Sequence, residues 1–230
     1  MKSTLLAGAC ATALMLGAAT SARADGGIDP LLGLDWYVSL FGGGSFMDDY
    51  RNTFTGGFNY RQEFDEGFIV GGAVGAEVYP DIRGEVELSY QFNDARDLNV
   101  SFGAPVRPDS GEVEIVNLLF NLWYDINLDT VIKPYIGGGI GIGFVDIRSR
   151  IPAGTAWSDT ETAFAFQVGG GFKYAINNYI DIDLSYRFRG VLDVEVSPPG
   201  AGPFAGGAWL DDDDLLSHTV HAGITLKPGN

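Results

Sequence analysis

The feature that most constrains the fold is a strict alternation of polar and apolar residues with a period of two. In residues 82–92, one parity is apolar and the other carries Arg83, Glu85 and Glu87; residues 180–189 repeat this arrangement. Successive side chains of a β-strand point to opposite faces, so each stretch predicts a strand with one apolar and one charged face. A helix would spread both sets of side chains around its surface.

The same alternation recurs along the chain and predicts about eight strands. They cover residues 36–44, 68–79, 81–92, 112–126, 131–146, 161–176, 179–189 and 217–227. A strand of about ten residues crosses a bilayer when it is tilted by about 45°. Residues 85–92 (EVELSYQF) and 181–188 (DIDLSYRF) also resemble each other, which indicates a weak internal repeat.

The connections between the predicted strands alternate strictly between long and short. Short turns fall at 79–81, 127–130 and 177–178, and long polar loops fall at 45–67, 93–111, 148–160 and 190–214. Short turns at one end and long loops at the other are typical of an outer-membrane barrel. The predicted fold is therefore all-β, an eight-stranded antiparallel up-and-down transmembrane β-barrel. A soluble sandwich has no reason to sort its loops by length, and a lipocalin-like barrel would turn its apolar faces inward.

Glycine on the inward parity, as at Gly137, Gly139, Gly141 and Gly143, leaves room for long charged side chains in a narrow lumen. Unpaired charges out of water are costly, so we expect the inward charges to form a paired network. Its predicted members are Glu77, Arg83, Glu85, Glu87, Asp125, Lys133, Lys173, Asp181, Asp183, Arg187 and Arg189. Eight strands leave a lumen that side chains fill, so a wide pore is not expected.

The first 24 residues predict a secretory signal peptide. Lys2 precedes an apolar run from Leu5 to Ala19, and Ala22-Arg23-Ala24 is a small-x-small cleavage site. Residues 25–230 then form one barrel domain with four long external loops. The exported chain has 12 basic and 30 acidic residues, which argues against a nucleic-acid partner. The single cysteine excludes a disulfide framework.

Several segments together carry a family resemblance across the whole exported chain. They are Trp36-Tyr37-Val38, residues 133–139 (KPYIGGG), residues 181–188 and the last strand from His218 to Leu226. The chain resembles the small outer-membrane β-barrel family that includes the opacity-type adhesins and porin-like surface antigens. Relatives usually end on an aromatic residue, whereas here Leu226 is followed by Lys227-Pro228-Gly229-Asn230.

The resemblance implies an integral protein of the cell outer membrane with a structural or surface-contact role. We expect a non-enzymatic barrel without a cofactor, in contact with outer-membrane lipid and lipopolysaccharide. Its long loops would carry contacts to proteins or a host surface. One alternative is a narrow porin-like channel for small solutes or ions. A second is a lipid-modifying barrel enzyme.

Two sets of residues bear on these alternatives. An enzyme needs a nucleophile and a base on one substrate, but the only histidines, His218 and His221, are three residues apart. In a strand this spacing sends them to opposite faces, which disfavours joint catalysis. The run from Asp211 to Asp214 offers carboxylate oxygens to Ca²⁺, although a solvated acidic rim is the favoured interpretation.

Overall fold

The computed structural model describes residues 35–54, 58–100, 110–128, 130–150, 156–196 and 210–227. The predicted signal peptide lies outside these residues, so it and the start of the barrel domain at residue 25 stay predictions. The described residues form ten strands: β1 (Trp36–Met47), β2 (Tyr50–Phe54), β3 (Phe58–Phe64), β4 (Gly67–Tyr79), β5 (Ile82–Val100), β6 (Ser110–Asp125), β7 (Ile132–Arg150), β8 (Ala156–Ala175), β9 (Ile180–Val196) and β10 (Leu210–Leu226).

Eight of the strands close into a barrel in the order β1-β4-β5-β6-β7-β8-β9-β10, and β10 pairs back onto β1. Every pairing in this circuit is antiparallel. The prediction of an eight-stranded antiparallel barrel is confirmed. Within the described part of the chain, no helix has the length and apolar character needed to cross a membrane.

The two remaining strands lie inside the first long connection, which the sequence analysis treats as a loop. β2 and β3 form a hairpin, and β3 pairs with the far end of β5, where Tyr60 lies opposite Val100. The sheet therefore continues beyond the barrel on this side.

The barrel strands are also longer than predicted at the end with the long connections, here called the loop end. β6 and β7 stay in register up to Ser110 and Arg150, where Glu112 lies opposite Arg148. The predicted loops at 93–111, 148–160 and 190–214 were too long for the same reason. The apolar alternation ends where the outward face becomes charged, but backbone pairing needs no apolar face and continues.

The two faces of the wall carry opposite chemistry. The outward side chain of Val86 is 49% exposed, whereas its neighbour Glu87 is completely buried inside the barrel. The outward row of β9 is likewise apolar and exposed at Ile182 and Leu184, while Asp181 and Asp183 are buried. An apolar exterior around a charged interior is the arrangement expected of a barrel in lipid.

The opposite end, here called the turn end, is closed by tight connections. Tyr79 and Ile82 are paired across the Pro80-Asp81 turn, in which Asp81 has a φ of 64°. Aspartate is one of the few non-glycine residues that tolerate this left-handed backbone conformation. The start of β1 and the end of β10 lie at the turn end as well, since Val38 pairs with Leu226.

Candidate functional site: the barrel interior and its external rim

The centre of the interior is organised around the carboxylate of Glu87 on β5. Arg187 and Arg189, both on β9, each donate a hydrogen bond to one of its oxygens. The side-chain amides of Asn121 and Gln167 donate two more, each at 3.0 Å. Four donors from three other strands therefore stabilise the charge of a fully buried carboxylate.

A second buried carboxylate, Glu85, lies one pleat nearer the turn end. It accepts hydrogen bonds from the Tyr37 hydroxyl at 3.0 Å and from the Trp123 indole nitrogen at 2.7 Å. The amide of Asn121 donates to the same carboxylate at 3.1 Å and so links the two acids. Tyr37 and Trp123 were not predicted to point inward. Their parity, shared with Ser39 and with Asn121, is the signal that identifies them.

Closer to the turn end, Arg83 donates two hydrogen bonds to Asp125, at 2.7 and 2.8 Å. Its guanidinium also lies 5.1 Å from the ring centre of Tyr135. The ammonium of Lys173 lies 4.9 Å from the ring centre of Tyr37. Cation–π contacts of this kind stabilise charges that lack water.

The predicted interior charges are thus placed in three settings. Glu85, Glu87, Arg83, Asp125, Arg187 and Arg189 are joined by the hydrogen bonds described above. Lys173, Asp181 and Asp183 are buried, and Asp181 pairs with Lys227 at 2.7 Å near the turn end. Glu77 and Lys133 have exposed side chains, because they lie at the rim where the wall ends.

The interior is not polar throughout, and its apolar part was not predicted from the sequence. Toward the loop end it holds a buried apolar cluster of Met47, Val113, Ile115, Leu119, Val145, Ala165, Val191, Val194 and Leu215. These residues have the inward parity, as Val113 and Ile115 share theirs with Asn117. The cluster begins at the height of the central charges, where Leu119 lies opposite Glu87, and extends toward the loop end to Val113 beside Glu112. We call this set the apolar cluster.

A polar strip passes along the other side of the lumen toward the loop end. Ser217 donates to Gln91 at 3.4 Å, and the amide of Gln91 donates to Asn93 at 3.2 Å. Ser45 also donates to Asn93, at 2.9 Å. Asn93 in turn donates to the backbone carbonyl of Asp65, whose side chain is exposed. Hydrogen-bonding groups therefore extend from the central charges to the loop end.

The two histidines lie on opposite faces of β10, as their spacing predicts. His221 is completely buried in the lumen and stacks on Phe41 with 4.7 Å between ring centres. His218 faces outward, where its Nδ1 is hydrogen-bonded to the Tyr186 hydroxyl and its Nε2 lies 3.6 Å from Asp48. No single substrate atom can reach both rings through the wall.

Outside the barrel, the outward row changes from apolar to charged near the loop end. Arg148 on β7 contacts Glu112 and Glu114 on β6, both at 2.9 Å, and Asp146 at 3.1 Å. Partial burial opposes its charge, but hydrogen bonds to Glu112 and Asp146 outweigh this and raise the pKa of Arg148 above its ordinary value. We call these four residues the charged row.

The predicted acidic run lies mostly outside the residues whose side chains are described. Of Asp211 to Asp214, only Asp214 has a described side chain, and it is exposed. Within the described part of the chain, no group of three or more His, Cys, Asp or Glu residues is arranged to hold a metal ion. Calcium binding by this run therefore stays an open alternative.

A closed antiparallel barrel with an apolar exterior and a filled, charged interior defines a small integral protein of the outer membrane. Residues 7–227 match the family described as the outer membrane protein beta-barrel domain. The chain belongs to this family and is an outer-membrane protein.

Individual relatives agree with this assignment. Outer membrane protein PagN of Salmonella typhimurium is 29% identical over 190 residues, which cover 80% of this chain and 77% of that protein. Among solved structures, OprG of Pseudomonas aeruginosa superposes with a TM-score of 0.57 at 12% identity. Neisserial surface protein A superposes with a TM-score of 0.51 at 17% identity. Both alignments cover 84% of this chain, with 96% of OprG and 97% of the Neisserial protein, and they show the likeness of fold.

Proposed function

We propose that this protein is a non-enzymatic surface protein whose barrel is a rigid anchor and whose loop end makes external contacts. The observation that carries the proposal is the filled lumen. A buried charge network occupies its centre and the apolar cluster occupies part of its loop end. The interior therefore has a structural role, and recognition is left to the external surface.

The loop end offers a large amount of such surface. Several strands extend toward the loop end past the point where apolar and polar residues alternate. They are β5, β7, β8, β9 and β10. The β2–β3 hairpin widens the sheet on one side. Contacts made by rigid paired strands cost less conformational entropy than contacts made by flexible loops. A partner on another protein or on a host surface fits this architecture.

Two lipid partners follow from the outward face. Acyl chains cover the apolar outward side chains of the barrel strands, and lipopolysaccharide headgroups lie at the height of the charged row. The inclusion of Arg148 among three carboxylates gives that row both signs of charge. The row is net negative because three carboxylates surround one guanidinium, so it can contact lipopolysaccharide phosphates through the divalent cations that bridge them.

The test is an internal deletion that removes the hairpin and spares the barrel. Residues 48–66 are replaced by a short glycine-serine turn between Met47 and Gly67. We expect bacteria that display this variant to adhere to cultured epithelial cells several-fold less than bacteria that display the intact chain. The matched control replaces Asn127-Leu128 at the turn end, which should leave adherence unchanged.

Both variants must fractionate with the outer membrane and show the shifted gel mobility of a folded barrel before boiling. Equal adherence of the intact chain, the hairpin deletion and cells without the protein would contradict a surface-contact role. Unchanged lipid A composition in a deletion strain would argue against the enzymatic alternative.

A second candidate function is the narrow channel, and the polar strip from Ser217 to Asn93 is the observation that favours it. Such a strip lines a route along which small ions or water could pass beside the apolar cluster. Planar-bilayer recordings of the refolded protein distinguish the two candidates. Clear unitary conductance steps would support the channel, and their absence supports an anchor.

A further inference from the structure

We propose that the inner wall formed by β9 and β10 holds a site for buried structural water beside the arginine pair Arg187 and Arg189. This proposal is independent of the external role. It starts from hydrogen-bonding capacity that the protein's own described groups do not satisfy. Arg187 Nε, Arg189 Nε and His221 Nδ1 are buried polar atoms without a protein hydrogen-bond partner. Asp183 Oδ2 and Ser185 Oγ are two more.

The residues that carry these five atoms lie along one stretch of the inner wall. Asp183, Ser185, Arg187 and Arg189 are successive inward residues of β9, and in the register of the sheet Ser185 lies opposite His221. Directly opposite residues of an antiparallel pair have Cβ atoms about 5 Å apart. All five side chains belong to residues that are more than nine-tenths buried. Bulk solvent therefore does not supply the missing partners.

The neighbouring hydrogen bonds determine which of these atoms donate. Each arginine donates to Glu87 from one terminal nitrogen, Arg187 also donates to Gln167 at 3.4 Å, and Arg189 also donates to Ser89 at 2.9 Å. Their Nε–H groups remain as unused donors. The Thr219 hydroxyl donates its one proton to the carbonyl of Arg187, so it must accept from His221 Nε2 at 2.9 Å. In the neutral imidazole the other nitrogen, Nδ1, is then an unused acceptor.

The mixture of donors and acceptors selects the ligand. An anion would satisfy the two Nε–H groups but would face the lone pair of His221 and the carboxylate of Asp183. A cation would satisfy those acceptors and repel the arginines. Water both donates and accepts, and buried waters typically make about three hydrogen bonds to such groups. The inward charges also balance without an ion, since Arg83, Lys173, Arg187, Arg189 and Lys227 match Glu85, Glu87, Asp125, Asp181 and Asp183.

Several inward side chains of this wall are small, and the large ring of Phe41 lies against His221 and 5.0 Å from the Arg187 guanidinium. Ser185 and Thr219 flank the arginines and Gly223 lies opposite Asp183. On the neighbouring strand the inward residue Ser39 is also small. An apolar substitution at Ser185 would occupy this space without supplying a partner.

The test uses solution NMR of the refolded ¹⁵N-labelled protein in detergent micelles. Through-bond experiments assign the Nε–Hε signals of Arg187 and Arg189 in the unmodified chain. We expect both protons to show cross-relaxation with water, with the sign of a long-lived bound molecule. The indole N–H of Trp123, which is buried in the same lumen but donates to Glu85, is the internal control and should show none.

A pair of substitutions locates the water. Ser185→Thr keeps the hydroxyl and should retain both cross-peaks, whereas Ser185→Val has a similar size, lacks the hydroxyl and should lose them. Absence of the cross-peaks in the unmodified protein would overturn the proposal. A direct hydrogen bond from either Hε proton to a protein acceptor, seen as a coupling between the two groups, would overturn it as well. Retention of both cross-peaks in Ser185→Val would also overturn this location. The unmodified protein alone decides the result if the variants do not refold.

Discussion

Glu87 on β5 and Arg187 on β9 form an ion pair across the lumen although they are 100 residues apart in the chain. β5 and β9 are four strands apart in either direction around the eight-stranded circuit, so they face each other. They are also the two strands that carry the sequence repeat at 85–92 and 181–188. The repeated unit therefore supplies opposite sides of the barrel, and the charges between them tie the two sides together.

Removal of the central charge should be strongly destabilising. Glu87→Gln leaves Arg187 and Arg189 buried beside a neutral amide, and the loss of one partner from a buried ion pair costs about 3–5 kcal/mol. Urea unfolding of the refolded protein, followed by tryptophan fluorescence, measures the change. The control is Glu77→Gln, the same chemical change at an exposed residue, which should shift stability by no more than about 0.5 kcal/mol. Equal midpoints for the two variants would show that the ion pair contributes nothing.

The apolar cluster should respond to cavity formation as a soluble core does. Leu119 is 2% exposed in the lumen, whereas the adjacent Leu118 is 41% exposed on the outer face. Leu119→Ala should lower the free energy of unfolding by about 2–5 kcal/mol, because neighbouring side chains close the cavity only in part. Leu118→Ala should cost less, since acyl chains are fluid and fill the space. The same urea titration compares them, and a larger loss for Leu118→Ala would reverse the assignment of faces.

A charge placed on the outer face should report the membrane directly. Leu184 lies in the outward row of β9 and is 56% exposed, and an arginine near the bilayer midplane of a barrel costs about 2–4 kcal/mol. Leu184→Arg should therefore insert into lipid vesicles less efficiently and unfold at lower urea. Leu128→Arg, at an exposed position in a connection of the turn end, should leave insertion unchanged. If both variants insert as well as the unmodified chain, the outer face of β9 does not contact lipid.

Close approach between β6 and β7 requires glycine at specific inward positions. A Cβ added at Gly139 would lie 1.9 Å from Asn121 Oδ1 and 2.5 Å from the Phe120 carbonyl oxygen. Gly139→Ala should displace Asn121 from the two glutamates and cost about 1–3 kcal/mol, as overpacking does. Gly42→Ala meets only ordinary contacts, the nearest at 3.6 Å, and should be neutral or stabilise by up to about 1 kcal/mol. Heat-dependent gel mobility ranks the two variants, and an equally stable Gly139→Ala would disprove the crowding.

Much of the barrel could be predicted because its cause is local. Lipid on one side of the wall requires apolar side chains at every second position, as at Val86 and Leu184. The sequence of each strand shows this alternation by itself. The lengths of the connections then order the strands into an up-and-down barrel. The outward-facing His218 and inward-facing His221 follow from the same rule.

The alternation was less informative beyond the membrane. There the outward residues Glu112 and Arg148 are charged and inward residues such as Val113 are apolar. This is the reverse of the lipid-facing part of the wall, where outward residues are apolar and inward residues are polar. The β2–β3 hairpin was missed because Tyr50 to Phe64 mixes polar and aromatic residues without a clear amphipathic face. Backbone pairing holds these segments together, and pairing leaves only a weak trace in a single sequence.

The sequence by itself determined that this chain forms amphipathic strands, that lipid lies on their apolar side, and that charges lie within. Only the tertiary structure decided that Glu87 meets Arg187 and Arg189, and that Glu85 meets Trp123 and Tyr37. The physical reason is that these contacts depend on how far the strands shift relative to one another when the sheet closes. That shift is set by all eight strands together, so no single stretch of sequence reveals which charges meet.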